Sequence, residues 1–170
     1  MSHLRRKYLK ALETLVYVAN KETRLYWALK IIYFADIEHL QRYGRQIFDE
    51  GYRAMKQGPV PSLAYDIVKN VRGDGWHEFK NPDPSTAIKT PDRYTILPQR
   101  KANTDLLSKT DMECLDYAHD LIKGLSFSQL KEKSHDTAYK AVEQDEEMSI
   151  EDIVKTLDNG EEILDYLTCN

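Results

Sequence analysis

Residues 24–44, RLYWALKIIYFADIEHLQRYG, constrain the fold more than any other stretch of this chain. From Leu25 to Ala35 apolar side chains occupy every side of a helical wheel and Lys30 is the only charge, so the helix needs neighbours on several sides. It is expected to be the hub of the core, with Tyr26, Trp27, Tyr33 and Phe34 packing there. Lys30 then either snorkels along its stem to water, the reading favoured here, or pairs with a carboxylate, because an unpaired buried ammonium is costly or loses its proton. A chain of 170 residues can enclose such a helix within one domain, 1–170, burying about two thirds of its unfolded surface.

The flanking sequence supplies the neighbours. Leu4, Tyr8, Leu12, Leu15 and Ala19, with Ala11, Val16 and Val18 beside them, recur at helical steps and predict a first amphipathic helix whose outer face carries Arg5, Arg6, Lys10 and Glu13. Thr23 is placed to cap the hub helix, and Gly44 suits the left-handed position that ends it, so the two helices are expected to be antiparallel neighbours. Phe48 to Lys56 reads as extended, and Gln57 to Pro61, with its two prolines, as a tight bend. Ser62 should cap a third helix with Asp66 in its first turn and Leu63, Ile67 and Val71 on its apolar face. Thr86 to Thr90 and Arg93 to Leu97 form β-prone runs joined by Pro91-Asp92, a hairpin by composition that could share a small sheet with residues 50–56.

Helices return in the second half. Asp111 to Lys123, starting after Ser108 or Thr110, carries Met112, Leu115, Ala118, Leu121 and Ile122 on one face and stops at Gly124. Ser126 caps Phe127 to Lys133, Thr137 to Val142 is a brief turn, and Glu143 to Glu147 a solvated acidic loop. Ser149 opens Ile150 to Leu157, and Gly160 begins a last helix ending near Leu167, so that 149–168 form a helical C-terminal extension. The expected fold class is therefore mainly α: a compact helical domain around a central apolar helix, with a small antiparallel β element.

Composition narrows the function classes. Cys114 and Cys169 lie far apart without CxxC or Cys/His ligand spacing, which suits a reduced cytoplasmic protein and no metal site. No stretch approaches the roughly 18 apolar residues of a membrane helix, and the basic start is interrupted by Lys10 and Glu13 before any signal-peptide core. Residues 1–80 hold 14 Lys and Arg against 9 Asp and Glu, the remaining residues 10 against 19. A mildly basic first half raises nucleic acid as a partner and an acidic second half a basic one.

A search for catalytic constellations returns nothing: there is no GxSxG, P-loop, GxGxxG or HExxH. Cys114 and His119 are five apart, which keeps them off one helix face. Asp36 and His39 read as a surface pair, and Ser134-His135-Asp136 is contiguous, whereas a triad is assembled from distant segments. No enzyme activity and no cofactor are expected.

One pattern does stand out. Lys30-Ile-Ile-Tyr-Phe-Ala-Asp, then His39-Leu40, Tyr43-Gly44, Phe48, Ala54, Gly58-Pro59-Val60 and Tyr65 are followed near the other end by Leu125-Ser-Phe-Ser-Gln-Leu130 and Ser134-His135. In order and spacing this resembles the SocA-like, or Panacea, antitoxin domain of bacteria and their phages, over about residues 24–140. The chain departs from that pattern at Met55 and Gln57, where the family commonly has Trp and Tyr, and at Tyr139, where it often has Trp. The resemblance implies a mostly helical fold with a small β element and an antitoxin that neutralises a cognate protein toxin by direct binding, or an adaptor that delivers it to a AAA+ protease. Such a protein needs a complementary surface rather than a reactive site.

For that surface the polar residues flanking the bend, Arg53, Lys56 and Gln57, are the first candidates, with Tyr65, His39 and His135 next. The runner-up is a winged-helix-like nucleic-acid-binding regulator, motivated by three helices and a hairpin, although Leu63 to Arg72 offers only Lys69 and Arg72 as cations. A homodimer and DNA binding both stay open at this point.

Overall fold

The computed structural model describes residues 1–169; Asn170, the last residue of the expected domain, lies outside them. α1 (His3–Ala19) and α2 (Leu25–Tyr43) are followed by a hairpin of β1 (Tyr52–Met55) and β2 (Gly58–Pro61), and then by α3 (Ser62–Arg72). Short strands β3 (Ile88–Lys89) and β4 (Leu97–Pro98) precede α4 (Lys109–Ile122), α5 (Phe127–Ser134) and α6 (Thr137–Lys140). β5 (Glu147–Met148), α7 (Ile150–Val154) and α8 (Gly160–Thr168) complete the described residues. The fold is mainly α with a small antiparallel β element, and one cluster of buried apolar side chains runs from Tyr8 to Ile163.

α2 is the hub that its sequence predicts. α4 lies along one side, α1 and the hairpin take others, and α7 and α8 cover it further on. Its charged and polar residues Lys30, Asp36 and His39 are as buried as its leucines. Asp36 and His39 are therefore not the surface pair that their spacing suggests. Asp36 accepts from Tyr52 Oη at 2.6 Å, Ile47 N at 2.8 Å and Gln46 Nε2 at 3.2 Å, which ties the loop after α2 and the start of β1 to the hub. Burial nevertheless raises its pKa, the three donors opposing the shift.

Several local expectations give way to distant partners. Thr23 does not cap α2, because residues 23–25 run as an extended bridge beside Thr95: Leu25 N donates to Tyr94 O and Ile96 N to Thr23 O. Gln57 to Pro61 is not an irregular bend. Lys56-Gln57 alone form the turn, and Gly58–Pro61 pair antiparallel with β1, Met55 opposite Gly58 and Tyr52 opposite Pro61. Both prolines are tolerated because β2 is an edge strand and residues two apart turn their donorless nitrogens to the same side. The acidic run 143–147 ends in β5, which pairs with the other side of β1, while β3 and β4 form a separate two-stranded sheet. Glu13 is buried rather than on the outer face of α1, its carboxylate taking two bonds from Arg100 and one from Asn103 N, and Leu4 is exposed instead. On α3 the buried face is Ala64, Ile67 and Val68, and on α4 Leu121 is exposed.

The caps written by local sequence form. Ser108 and Ser126 make capping boxes with Asp111 and Gln129, and Ser149 accepts from Asp152 N. Ser62 does not cap α3. Glu50 does so from outside the helix, accepting from Leu63 N at 2.9 Å, Ala64 N at 3.0 Å and Gly51 N at 2.9 Å. Burial pushes the Glu50 carboxyl up to about 7, partly opposed by the bonds from Leu63 and Ala64 and reinforced by the nearby Asp36 charge. The folded state thus holds a proton that the unfolded chain has released, and the corresponding stability is present below about pH 4.5 and lost as pH rises through 7. Denaturant midpoints measured from pH 4.5 to 7 should fall at up to roughly 1.4 kcal/mol per pH unit from this group, and Glu50→Gln should flatten that slope.

A candidate protein-binding cleft

The first turns of α2 are pinned between two other elements, and a cleft of about 460 Å³ opens beside them. Tyr26 and Trp27 form its floor, Phe127 at the start of α5 one wall, Met55 and Val60 of the hairpin another, with Tyr65 and Tyr94 at the edges. The aromatic rings are held by their polar tips. Tyr26 Oη donates to Gln57 O at 2.6 Å and Trp27 Nε1 to Leu125 O at 3.2 Å, which fixes both rings where they line the cleft. Phe127 packs 4.7 Å from Tyr26, and the Arg24 guanidinium lies 4.1 Å above the Trp27 ring. Phe127 is 42 % exposed and Tyr94 80 %, an accessible apolar surface that water covers at a cost.

Behind the hairpin is a polar joint. Lys30 Nζ is enclosed, donates to Pro59 O at 2.6 Å and lies 4.8 Å from the Tyr26 ring centre. Neither sequence expectation for it holds: it does not snorkel to water, and it pairs with no carboxylate among the described residues. Burial brings its pKa down to about 7. Gly58 sits at φ +115°, and a Cβ there would stand 2.5 Å from Ser134 Oγ and 3.1 Å from Lys30 Nζ. Only glycine meets both demands, the backbone conformation and the close approach.

The α5–α6 corner locks this joint. Ser134 Oγ donates to Lys131 O, Asp136 caps α6 and accepts from Tyr33 Oη at 2.6 Å, and the His135 ring stacks on Tyr139 at 4.1 Å. Tyr139 Oη in turn donates to Met55 O at 2.8 Å. Burial lowers the His135 pKa, and the charges of Lys131, Lys30 and Lys140 add to that. Ser134, His135 and Asp136 thus act separately, each fixing a different neighbour.

The six sequence-predicted residues divide accordingly. Lys56, Gln57 and Tyr65 share the cleft. Arg53 lies on the adjoining face, where its Nη1 donates to Asp145 O and where it borders a second groove with Tyr65 and Trp76. His135 supports the hairpin from behind. His39 is a correction: it is fully buried, with Nδ1 2.8 Å from Arg45 O and Nε2 3.0 Å from Thr110 Oγ1 and 3.3 Å from Asp111. It offers no docking surface. Asp111 is the reason, since burial alone would disfavour its charge, yet the bonds from His39, Lys10 and Ser108 N hold it well below the usual carboxylate range.

Sequence reasoning missed Tyr26, Trp27, Phe127, Tyr94, Arg24 and Arg93. The sequence carried no signal for Tyr26 and Trp27, since a helix with neighbours on several sides turns adjacent aromatics to different packing partners in any case.

A mainly helical domain with a small hairpin, an aromatic cleft and a histidine corner behind it is the class that these features define. The family model described as antitoxin SocA-like, Panacea domain, matches residues 29–140, and the chain belongs to that family. The matched span runs from within α2 to the end of α6 and takes in Lys30, Gly58 and Ser134-His135. Comparisons with curated proteins and with solved structures returned no match. Among the described residues no helix is long and apolar enough to cross a membrane, and no group of three or more His, Cys, Asp and Glu side chains could hold a metal ion.

The buried Lys30 makes a titration prediction. Its folded pKa lies below that of an unfolded lysine, so the unfolded chain binds the extra proton between about pH 7 and 10.5 and stability from this group rises across that window. Denaturation at pH 7 to 9.5 should show an upward contribution approaching roughly 1.4 kcal/mol per pH unit in the parent chain, absent from Lys30→Met, which keeps most of the side chain's length.

Proposed function

We propose that this protein is an antitoxin that neutralises a partner toxin by direct protein binding, and that it is a binding module rather than an enzyme. The observation that carries the reading is the cleft: the rings of Tyr26 and Trp27, fixed by hydrogen bonds at their polar edges, line it together with the half-exposed Phe127, with arginine and lysine at the rim. Rigid, exposed Trp, Tyr and Arg side chains are the residues on which protein interfaces concentrate their binding energy. Membership of the antitoxin-like family supplies the kind of partner. The separate engagements of Ser134, His135 and Asp136 fit a structural corner better than a proton relay.

Nucleic-acid binding gains little from the geometry. On α3, the helix that a winged-helix reading would place in a groove, Lys69 pairs with Asp66 at 2.9 Å and Arg72 with Asp74 at 3.0 Å. Neither is free to meet a phosphate without breaking an existing pair.

Bacterial growth with the product of the adjacent gene expressed alone, with this protein, and with its Trp27→Ala/Phe127→Ala variant tests the reading. Growth should be lost with the first, restored by the second, and restored poorly by the third, whose complex should be weakened by about 2 kcal/mol or more, roughly thirtyfold. Leu4→Ala, exposed and far from the cleft, should restore growth fully. A harmless neighbour protein contradicts the antitoxin role; rescue in which the toxin disappears from cells, and persists in a strain lacking its AAA+ protease, replaces blockade with delivery.

A further inference from the structure

The charge lining of the cleft is one-sided. Four of its lining residues, Arg24, Lys30, Lys56 and Arg93, are basic and none is Asp or Glu, in a chain whose net charge is −4. Arg24 is already paired, with Glu22 at 2.7 Å. Lys56 and Arg93 are exposed and make no ion pair or side-chain hydrogen bond among the described residues. Beneath them Lys30 has a backbone carbonyl and a ring as neighbours, and Gln57 Oε1 is buried in the same wall with no hydrogen-bond partner. A groove beside the start of α1 differs: its Lys10 and Arg45 are held by Asp111, and two carboxylates, Asp49 and Asp105, are in its own lining. Lys56 thus stands beside an apolar lining without an ion-pair partner, and Arg93 with no more than the attraction of the nearby Asp74.

We infer that the cleft receives an acidic segment of the partner protein, in which one large apolar side chain packs among Tyr26, Trp27 and Phe127 while flanking carboxylates meet Lys56 and Arg93. The identity of the partner as a toxin rests on the reading above; the chemistry of the segment does not. A cleft of about 460 Å³ holds one or two large side chains with adjacent backbone, within the roughly 300–1,000 Å³ typical of ligand sites. Its apolar floor excludes water, which strengthens each charge pair formed at the rim. A basic segment would meet Lys56 and Arg93 with no carboxylate in the wall to receive it.

The test needs no knowledge of the natural partner. A random dodecapeptide display library is panned on the full chain carrying Trp76→Phe; Trp76 is almost fully exposed and the chain has two tryptophans, so Trp27 becomes the sole indole reporter, set in the cleft floor. Enriched peptides should join Trp, Phe or Leu to Asp or Glu. Resynthesised, they should change Trp27 fluorescence on binding and bind at least tenfold more weakly when their Asp and Glu are replaced by Asn and Gln. Binding to Lys56→Glu/Arg93→Glu should fall by a similar factor, and to Lys56→Gln/Arg93→Gln by less, with raised salt narrowing the differences. No enrichment, enrichment of basic or uncharged peptides, or equal binding to the charge-reversed chain overturns the inference. The two readings fail separately: a toxin neutralised equally well by Lys56→Glu/Arg93→Glu removes the acidic-segment inference alone, whereas acidic peptides bound in the cleft with no toxin neutralised removes the antitoxin reading alone.

Discussion

A polar side chain on the enclosed length of a central helix has no water to meet, and α2 buries three of them. Each is satisfied by a different part of the chain. Lys30 donates to the carbonyl of Pro59 in the hairpin, Asp36 takes donors from Ile47, Gln46 and Tyr52, and His39 reaches Thr110 and Asp111 at the start of α4. Leaving any one unmet in the interior costs on the order of 1–3 kcal/mol, more for a charge, so these groups specify where the hairpin, the following loop and α4 must sit. The apolar residues make the helix central; its buried polar residues decide what surrounds it.

The cleft follows from the same arrangement. Lys30 and the glycine above it hold the hairpin turn against the α5–α6 corner, so Gln57 O comes to rest on the Tyr26 hydroxyl and Met55 O on that of Tyr139. The bridge between residues 23–25 and 94–96 sets Tyr94 and Arg93 opposite. Four separate stretches thereby converge on the first turns of α2, where Tyr26 and Trp27 are half-buried. The family motif residues Lys30, Gly58 and Ser134-His135 lie beneath this surface and shape it, while the residues that can touch a partner stand at or beyond their edges.

Features encoded by neighbours in the chain were legible in the sequence. The hub followed from an uninterrupted apolar run, and the caps at Ser108, Ser126 and Ser149 from residues three positions apart. What escaped depends on partners far along the chain: the cap of α3 comes from Glu50 rather than its own Ser62, β5 forms only because β1 is beside it, and the prolines of β2 fit only because that strand is an edge. His39 failed as a surface residue for the same reason, its partner Thr110 lying 71 positions away. Lys56 and Gln57 were singled out as polar residues beside the bend and Tyr65 as the next candidate, whereas Tyr26 and Trp27 were read as packing because helical aromatics usually are.

The central claim is that the face beside the first turns of α2 is where this protein meets its partner. Backbone hydrogen exchange of the chain, free and in the complex formed with the adjacent gene's product, tests it most directly. The account predicts slowed exchange at residues 55–60, 93–95 and 125–130, with residues 3–10 and 158–168 unchanged. Protection confined to α1 or to α8, with the hairpin turn exchanging as in the free protein, would contradict it.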